Sequence, residues 1–337
     1  MSSKESIIFQ KVIIKSDIIR HKFVNYIFSF LITGKMDKRH NKTGLALGTG
    51  AARGLTHIGV LKAIEEYGIK IDYISGSSIG ALIGGAYAMG LSAKEIEEIA
   101  LKTNWKLMAK IFTPTLSLSS LVNSDYLDEF LSTIFGGKNF NDLRIPFSAI
   151  ATDILTGKMV ALDKGDLTTA IRASISLPII FSPVTYGKYK LLDGGLVNPT
   201  PVDIVRKHNV DTVIAVNLRR FETYGINQIP ESDNKRMSDS ELKKLSLNEK
   251  IQYFIKNPLH YINNRNETPD PKFWEVLYQM FIIVQVQISE LTMQIAKPDI
   301  LIEPDTGKYK LLEFNKAEEL IEIGYRTAKS KLKQLKN

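Results

Sequence analysis

No cysteine occurs anywhere in this chain, which excludes disulfide cross-links, thiolate zinc sites and a cysteine nucleophile together. Histidine is scarce as well. The five are His21, His40, His57, His208 and His260, with no His-Glu-x-x-His and no pair at metal-ligand spacing, so a histidine-built metal site is not expected, while carboxylate metal sites stay open. The N-terminal segment lacks a run long enough to span a bilayer: its longest uncharged stretch is residues 23–34, against the roughly 20 apolar residues that a membrane helix needs. What is present is a chain of 337 residues, 44% hydrophobic and 24% charged, enough to bury a sizeable core in one large α/β domain or two smaller ones.

Charge is unevenly placed. The net charge is +8, and residues 1–42 hold nine Lys/Arg against three Asp/Glu, so this extension carries most of the excess and the remainder is almost neutral. An anionic surface such as phospholipid headgroups or nucleic acid is one reading of it, and a solvated basic arm is the other. Its apolar residues, Ile7 to Ile19 and Phe23 to Ile32, either lie on a membrane or pack on the body. Lys11, Lys15, Arg20 and Lys22 interrupt any signal-peptide core and no small-residue cleavage site follows, so a cleaved export signal is not expected and the expected compartment is the cytoplasm.

From Thr43 short apolar runs alternate with amphipathic helices, the pattern of a parallel α/β sheet. Gly44 to Leu47 reads as a buried strand, followed by the turn Gly48 to Gly54 and a helix to about Tyr67. A second strand, Ile71 to Ser75, breaks at Gly76-Ser77-Ser78-Ile79-Gly80 and leads into a helix over Ala81 to Met89. Ser92 with Glu95 three residues on is a capping-box start, and Ser124 to Phe135 is a further helix. Candidate strands follow at Pro146 to Thr152, Met159 to Leu162, Tyr189 to Leu192 and Asp211 to Val216, with a helix near Thr168 to Ser174. Residues 221–271 read as a variable surface insertion. Phe273, Leu277, Met280, Phe281, Val284, Ile288, Leu291 and Ile295 then recur at spacings of three and four, the pattern of a long amphipathic helix. Asp299 to Ile302 fits a last strand and Lys316 to Lys336 a terminal helix capped by Asn315. The division expected is an extension over 1–42 and one catalytic domain over 43–337, with C-terminal helices and strand in 272–337.

Gly76-x-Ser78-x-Gly80 places a serine where a strand turns sharply into a helix, which aims Oγ at the crevice above the sheet and makes Ser78 the candidate nucleophile. A tight glycine turn is the plainer reading of the bare motif, and the strand–turn–helix setting is what favours the nucleophile. A serine needs a base. Hydrolases with such an elbow use an acid and then a histidine late in the chain, but here only His208 and His260 follow Ser78, and neither sits on a glycine-marked loop after a strand. Asp193, by contrast, ends an apolar strand and precedes Gly194 and Gly195, whose lack of a side chain lets another loop approach closely. A serine–aspartate dyad is the sharper hypothesis against a turn-forming Asp-Gly.

The loop Gly48-Thr49-Gly50-Ala51-Ala52-Arg53-Gly54 frees backbone N–H groups at a helix N-terminus, a nest for negative charge. A P-loop would need a following Lys-Ser/Thr and a dinucleotide turn a third glycine one residue earlier. An oxyanion hole fits better, because it needs converging amide donors next to the nucleophile.

These residues together resemble the bacterial patatin-like phospholipase family. Gly48 to Gly54 is similar to its glycine-rich oxyanion loop ending in Arg-Gly, and Gly76 to Gly80 to its elbow. Ile171-Arg172-Ala173-Ser174 with Pro178 is similar to its Arg-Ala-Ser block, and Asp193-Gly194-Gly195 to its catalytic aspartate motif. The resemblance covers Thr43 to Leu218 strongly and Lys297 to Tyr325 loosely, and departs at Thr49 and Ala51, where many members have glycine. It implies a three-layer α/β/α fold with a mainly parallel central sheet and a strand–nucleophile elbow–helix. It further implies a Ser78–Asp193 dyad acting as a phospholipase A or lysophospholipase, with the amides of Gly50, Ala51 and Ala52 holding the oxyanion and no cofactor or metal needed. Gly48, Arg53, Gly54, Gly76, Gly80, Arg172, Gly194 and Gly195 would support that site, with the arginines positioning loops or headgroups. A dyad of this kind requires a desolvated carboxylate of raised proton affinity. Phospholipid or lysophospholipid is the expected substrate, with peripheral contact to an anionic membrane through residues 1–42 and no nucleic acid. A general carboxylesterase or thioesterase on the same dyad and a non-catalytic membrane-binding regulator are the alternatives.

Overall fold

A computed structural model describes residues 41–103, 111, 122, 124–218, 249, 273–310 and 312–333. Apart from Asn41 and Lys42, the basic extension lies outside the described residues, as does the insertion at 221–271 apart from position 249. The chain divides into Met1–Asn41 and Lys42–Asn337, and Lys42 is tied into the second unit because its N–H donates to the Asp211 carboxylate while its C=O accepts from the Asp211 and Thr212 amides.

Eight strands form one sheet: β1 (Thr43–Leu47), β2 (Tyr73–Ser77), β3 (Phe147–Asp153), β4 (Lys158–Leu162), β5 (Val184–Tyr186), β6 (Tyr189–Asp193), β7 (Thr212–Val216) and β8 (Ile300–Ile302). The main path runs β5-β6-β3-β2-β1-β7-β8, with β4 paired to β3. The stretch β3-β2-β1-β7-β8 is parallel, and β4, β5 and β6 join it antiparallel. Among the described residues the helices given bounds are α1 (Thr56–Glu66), α2 (Ile79–Met89), α3 (Ala93–Lys102), α4 (Asp125–Phe135), α5 (Leu167–Ser174), α6 (Val202–Arg206), α7 (Phe273–Ala296) and α8 (Ala317–Leu332).

Side chains alternate across each strand, so successive residues enter different cores. Leu45, Leu47, Ile74, Ala149, Ala151, Ile214 and Val216 join the cluster under α1, α2, α5 and α8. Ala46, Tyr73, Ile150, Val213 and Ala215 point to the other face, where α6 supplies Val202, Ile204 and Val205 and α7 supplies Met293 and Ala296. With both faces covered, the strands read as continuous apolar runs, as buried parallel strands do. The architecture is the expected α/β/α sandwich.

Pairing on β3 decides where the site lies. Ala149 and Ile150 pair with β2 on one side and β4 on the other, whereas Ala151 to Asp153 pair with β6 and β4. β2 and β6 therefore lie end to end along the same edge of β3, with Ser77 opposite Ile150 and Asp193 opposite Ala151. Two chain segments more than a hundred residues apart end on adjacent rungs.

Several sequence expectations need correction. β2 runs on through Gly76 and Ser77, and α2 starts at Ile79. β5, three half-exposed or exposed residues, has no apolar run to announce it and exists through its pairing with β6. Asn315 does not cap α8: it lies inside a 3-10 turn, Phe314–Lys316, that runs straight into the helix. Part of the apolar stripe assigned to α7 faces outward. Met280, Val284, Leu291 and Ile295 are exposed, and the buried positions are Ile282, Gln285, Val286 and Ser289. Apolar residues surround this helix, so periodicity alone picks the wrong face, and the inner one takes polar residues because it meets polar side chains. There the Ser289 hydroxyl contacts Thr200 and donates to Asn217.

Candidate active site

Ser78 is the single residue between β2 and α2, at φ 56° and ψ −126°, a backbone state that costs a non-glycine residue about 1–3 kcal/mol. Packing holds it there. A side chain on Gly80 would stand 2.2 Å from the Leu47 carbonyl, so α2 can begin this close to β1 only with glycine at that position. The Ser78 carbonyl accepts from the Ala81 and Leu82 amides, and its own N–H donates to Ser174 Oγ at 3.0 Å, which passes the bond on to the Ile150 carbonyl at 2.6 Å. Ser174, in the Arg-Ala-Ser block, thus fixes the elbow; the block was legible in sequence but this role was not.

The strained turn presents Ser78 Oγ to Asp193, donating to Oδ2 at 2.6 Å. Asp193 is fully buried. Its other carboxylate oxygen accepts from the Gly195 N–H at 2.7 Å, its carbonyl accepts from Thr152 Oγ1 at 2.8 Å, and its N–H donates to the Ser176 carbonyl. The carboxylate is therefore held on several sides with one oxygen turned to the serine. A buried O–H to carboxylate bond of this length is of the charge-assisted kind, stronger than a neutral pair.

The Gly48 to Gly54 loop packs against this elbow. Gly54 lies on the Ile79 side chain, and a side chain on Gly80 would also meet the Gly48 carbonyl. Gly48 and Thr49 donate their amides to the Val216 and Pro199 carbonyls, and the first bond of the 3-10 turn Ala51–Leu55 runs from the Arg53 N–H to the Gly50 carbonyl. The amides of Gly50, Ala51 and Ala52 come before that bond, so they are the ones the turn does not use. Ala51 sits at φ 48°, a left-handed conformation that costs it energy where glycine would be unstrained.

Both arginines brace neighbouring elements. Arg53 is buried and donates through Nε to the Tyr309 carbonyl at 2.8 Å, tying the loop to the segment before α8. Arg172 is buried over the Phe181 ring and bonds Asp128, Ser124 and Ser176 at 2.6 Å each, joining α5 to α4. Burial pushes its pKa below the ordinary value, with Asp128 opposing the shift.

Neither described histidine can serve Ser78 as base. His208 stacks on Tyr73 with ring centroids 3.7 Å apart. Tyr73 opens β2 and Ser78 follows its last residue, about 16 Å along the strand at roughly 3.3 Å per residue. His260 lies outside the described residues. His57 is fully buried and its Nε2 donates to the Gly48 carbonyl at 2.8 Å, bracing the loop from α1. Burial lowers its pKa from 6.5 to about 4, against a smaller upward effect of the Gly48 bond, so it is neutral at pH 7. This role carried no sequence signal. Among the described residues no three histidine, aspartate or glutamate side chains gather as a metal-ligand set, and no helix is long and apolar enough to cross a membrane.

Because the folded state keeps His57 neutral while the unfolded chain takes up a proton below pH 6.5, stability should fall as pH drops from about 6.5 to about 4. At about 1.4 kcal/mol per tenfold change in proton affinity the loss is about 3 kcal/mol. His57→Gln, which can still donate to Gly48, is expected to flatten that acid limb in thermal melts across pH 4 to 7. An unchanged slope in the variant would assign the acid sensitivity elsewhere.

Residues 45–206 match the family model described as patatin-like phospholipase. An NTE family protein of Mycobacterium tuberculosis is 29% identical over 321 residues, covering 84% of this chain and 89% of that protein. The human patatin-like phospholipase domain-containing protein 6 is 29% identical over 297 residues, 86% of this chain and 20% of that protein. Among solved structures, VipD from Legionella pneumophila is similar at a TM-score of 0.43 with 12% identity, covering 87% of this chain and 67% of that one.

Proposed function

We propose that this chain, whose residues 45–206 match the patatin-like phospholipase family model, hydrolyses phospholipid or lysophospholipid acyl esters with Ser78 as nucleophile and Asp193 as base. The observation that carries the reading is the 2.6 Å bond from Ser78 Oγ to a fully buried carboxylate at a strained elbow. Asp193 takes the hydroxyl proton as Oγ attacks the ester carbonyl, and the same proton then goes to the departing alcohol. The negative oxygen of the tetrahedral intermediate is met by the amides of Gly50, Ala51 and Ala52, the donors that the 3-10 turn leaves over. Water completes the cycle: its proton passes to Asp193 and on to Ser78 Oγ as the fatty acid leaves.

The test is labelling by a fluorophosphonate probe together with fatty-acid release from phospholipid vesicles and from a short soluble ester. Labelling at Ser78 with release from phospholipid supports the reading. Release from the short ester alone would make the protein a general carboxylesterase, and absence of labelling would make it a non-catalytic binder.

Membrane contact through the basic extension belongs to the same proposal. Deleting Met1–Asn41, which leaves Lys42 and its bonds to Asp211 in place, is expected to weaken cosedimentation with anionic vesicles while sparing hydrolysis of the soluble ester. Each basic residue near an anionic surface contributes about 1 kcal/mol and is screened by salt, so binding by the full chain should also fall steeply as salt rises. Equal vesicle binding by the two forms would remove the extension from the membrane contact.

A further inference from the structure

We propose that Gln285 positions the water that hydrolyses the acyl-enzyme, an inference that rests on the Ser78–Asp193 reading and deepens it. Gln285 lies on the inner face of α7 and is fully buried, yet neither its Nε2 nor its Oε1 has a hydrogen-bond partner. One turn further along the same face, Ser289 is bonded to Thr200 and Asn217, so burial in this layer does not by itself deprive a polar side chain of partners. A buried amide is strongly favoured to hydrogen-bond, and one kept with both ends open beside a reacting group is suited to a molecule that comes and goes.

Its location names the reacting group. A side chain on Gly195 would stand 2.2 Å from Gln285 Nε2, 2.8 Å from the Thr49 methyl and 2.9 Å from Asp193 Oδ1. The amide thus packs on the second glycine after the proposed catalytic carboxylate, with Nε2 no more than about 5 Å from Oδ1, close enough for one water to touch both. Gly195 is the residue that permits this approach, which gives the second glycine of Asp193-Gly194-Gly195 a chemical purpose beside its N–H bond to the carboxylate.

Acylation has its nucleophile fixed in the chain, whereas deacylation must bring one in. Ser78 is 7% exposed and Asp193 is 0% exposed, so bulk water does not surround them and an attacking water needs two to four fixed polar partners to be held in place. Asp193 accepts one of its protons and Gln285 Nε2 donates to its oxygen, leaving the second lone pair for the acyl carbonyl carbon. The bond from water oxygen to that carbon forms, the proton moves to Asp193, the carbon to Ser78 Oγ bond breaks, and the proton returns to Oγ with release of the carboxylic acid. Gln285 exchanges no proton and is a positioning residue.

The experiment uses the full chain with Gln285→Met, which keeps side-chain length and removes the amide, and a chromogenic short-chain ester followed from the first turnover. Slowing deacylation alone lowers kcat and KM together and leaves kcat/KM, which reports acylation, unchanged. The variant is expected to show a burst of about one leaving group per enzyme, a steady-state kcat lower by about 10- to 100-fold, and fluorophosphonate labelling of Ser78 at the native rate. A kcat/KM that falls with kcat, without a burst and with labelling intact, would overturn the role of Gln285 and leave the dyad standing. Failure of the native protein to label would overturn the dyad reading itself. Gln285→Asn, which withdraws the amide by one methylene, is expected to give the same signature more weakly and decides the matter should Gln285→Met not fold.

Discussion

Replacing Ser78 by alanine is expected to reduce ester hydrolysis by at least about 10⁴-fold and to abolish fluorophosphonate labelling, because acyl transfer then has no nucleophile and only the binding and oxyanion contributions remain. The loss should be chemical rather than structural. The elbow is held by bonds to the Ser78 backbone, its N–H on Ser174 Oγ and its carbonyl under the Ala81 and Leu82 amides, none of which needs Oγ. Ser78→Gly is the sharper companion: it removes the strain of φ 56° and is still expected to be inactive, which separates the hydroxyl from the backbone geometry that presents it. Ser77→Ala, one residue earlier in β2, should cost little, since the Ser77 hydroxyl has no hydrogen-bond partner. Intact-mass analysis after probe treatment and an ester assay on all three variants provide the check. Native turnover by Ser78→Ala would end the nucleophile assignment.

The signals legible in the sequence were local. The elbow announces itself because strand, glycine turn and helix follow one another within a few residues, and the capping box of Ser92 with Glu95 forms as its spacing implies. The buried strands of the sheet also stood out, since a strand covered on both faces leaves an apolar run. Harder to read was anything set by pairing across the chain. That Ser78 and Asp193 meet follows from β2 and β6 sharing one edge of β3, a register that no single segment contains. Ser174 acts through a bond to an amide 96 residues away, and serine is too common for that to leave a trace. The orientation of α7 failed for a different reason. Its sequence is apolar on more than one side, and the choice of inner face depends on polar neighbours such as Thr200 and Asn217, which only the folded chain brings there.

Asp193→Asn is expected to lower kcat by about 10²- to 10⁴-fold, the range attributable to a positioned general base. The substitution is close to isosteric, so the turn should persist, with the Gly195 N–H still donating to the side-chain oxygen as it now does to Oδ1 at 2.7 Å. That retained bond orients the amide and decides the outcome. It turns the NH₂ group toward Ser78, replacing an oxygen that accepts the serine hydrogen at 2.6 Å by a nitrogen that can only donate. Ser78 then keeps its proton, and the bond that prepared it for attack reverses direction. His208→Ala should be close to silent by comparison, because that ring stacks on Tyr73 at the opposite end of β2 from Ser78. Steady-state kinetics on a soluble ester compare the two variants directly. If His208→Ala were the crippled enzyme and Asp193→Asn the active one, the base would have to reach Ser78 from the far end of the strand, and the arrangement of β2, β3 and β6 described above could not be the one that catalyses.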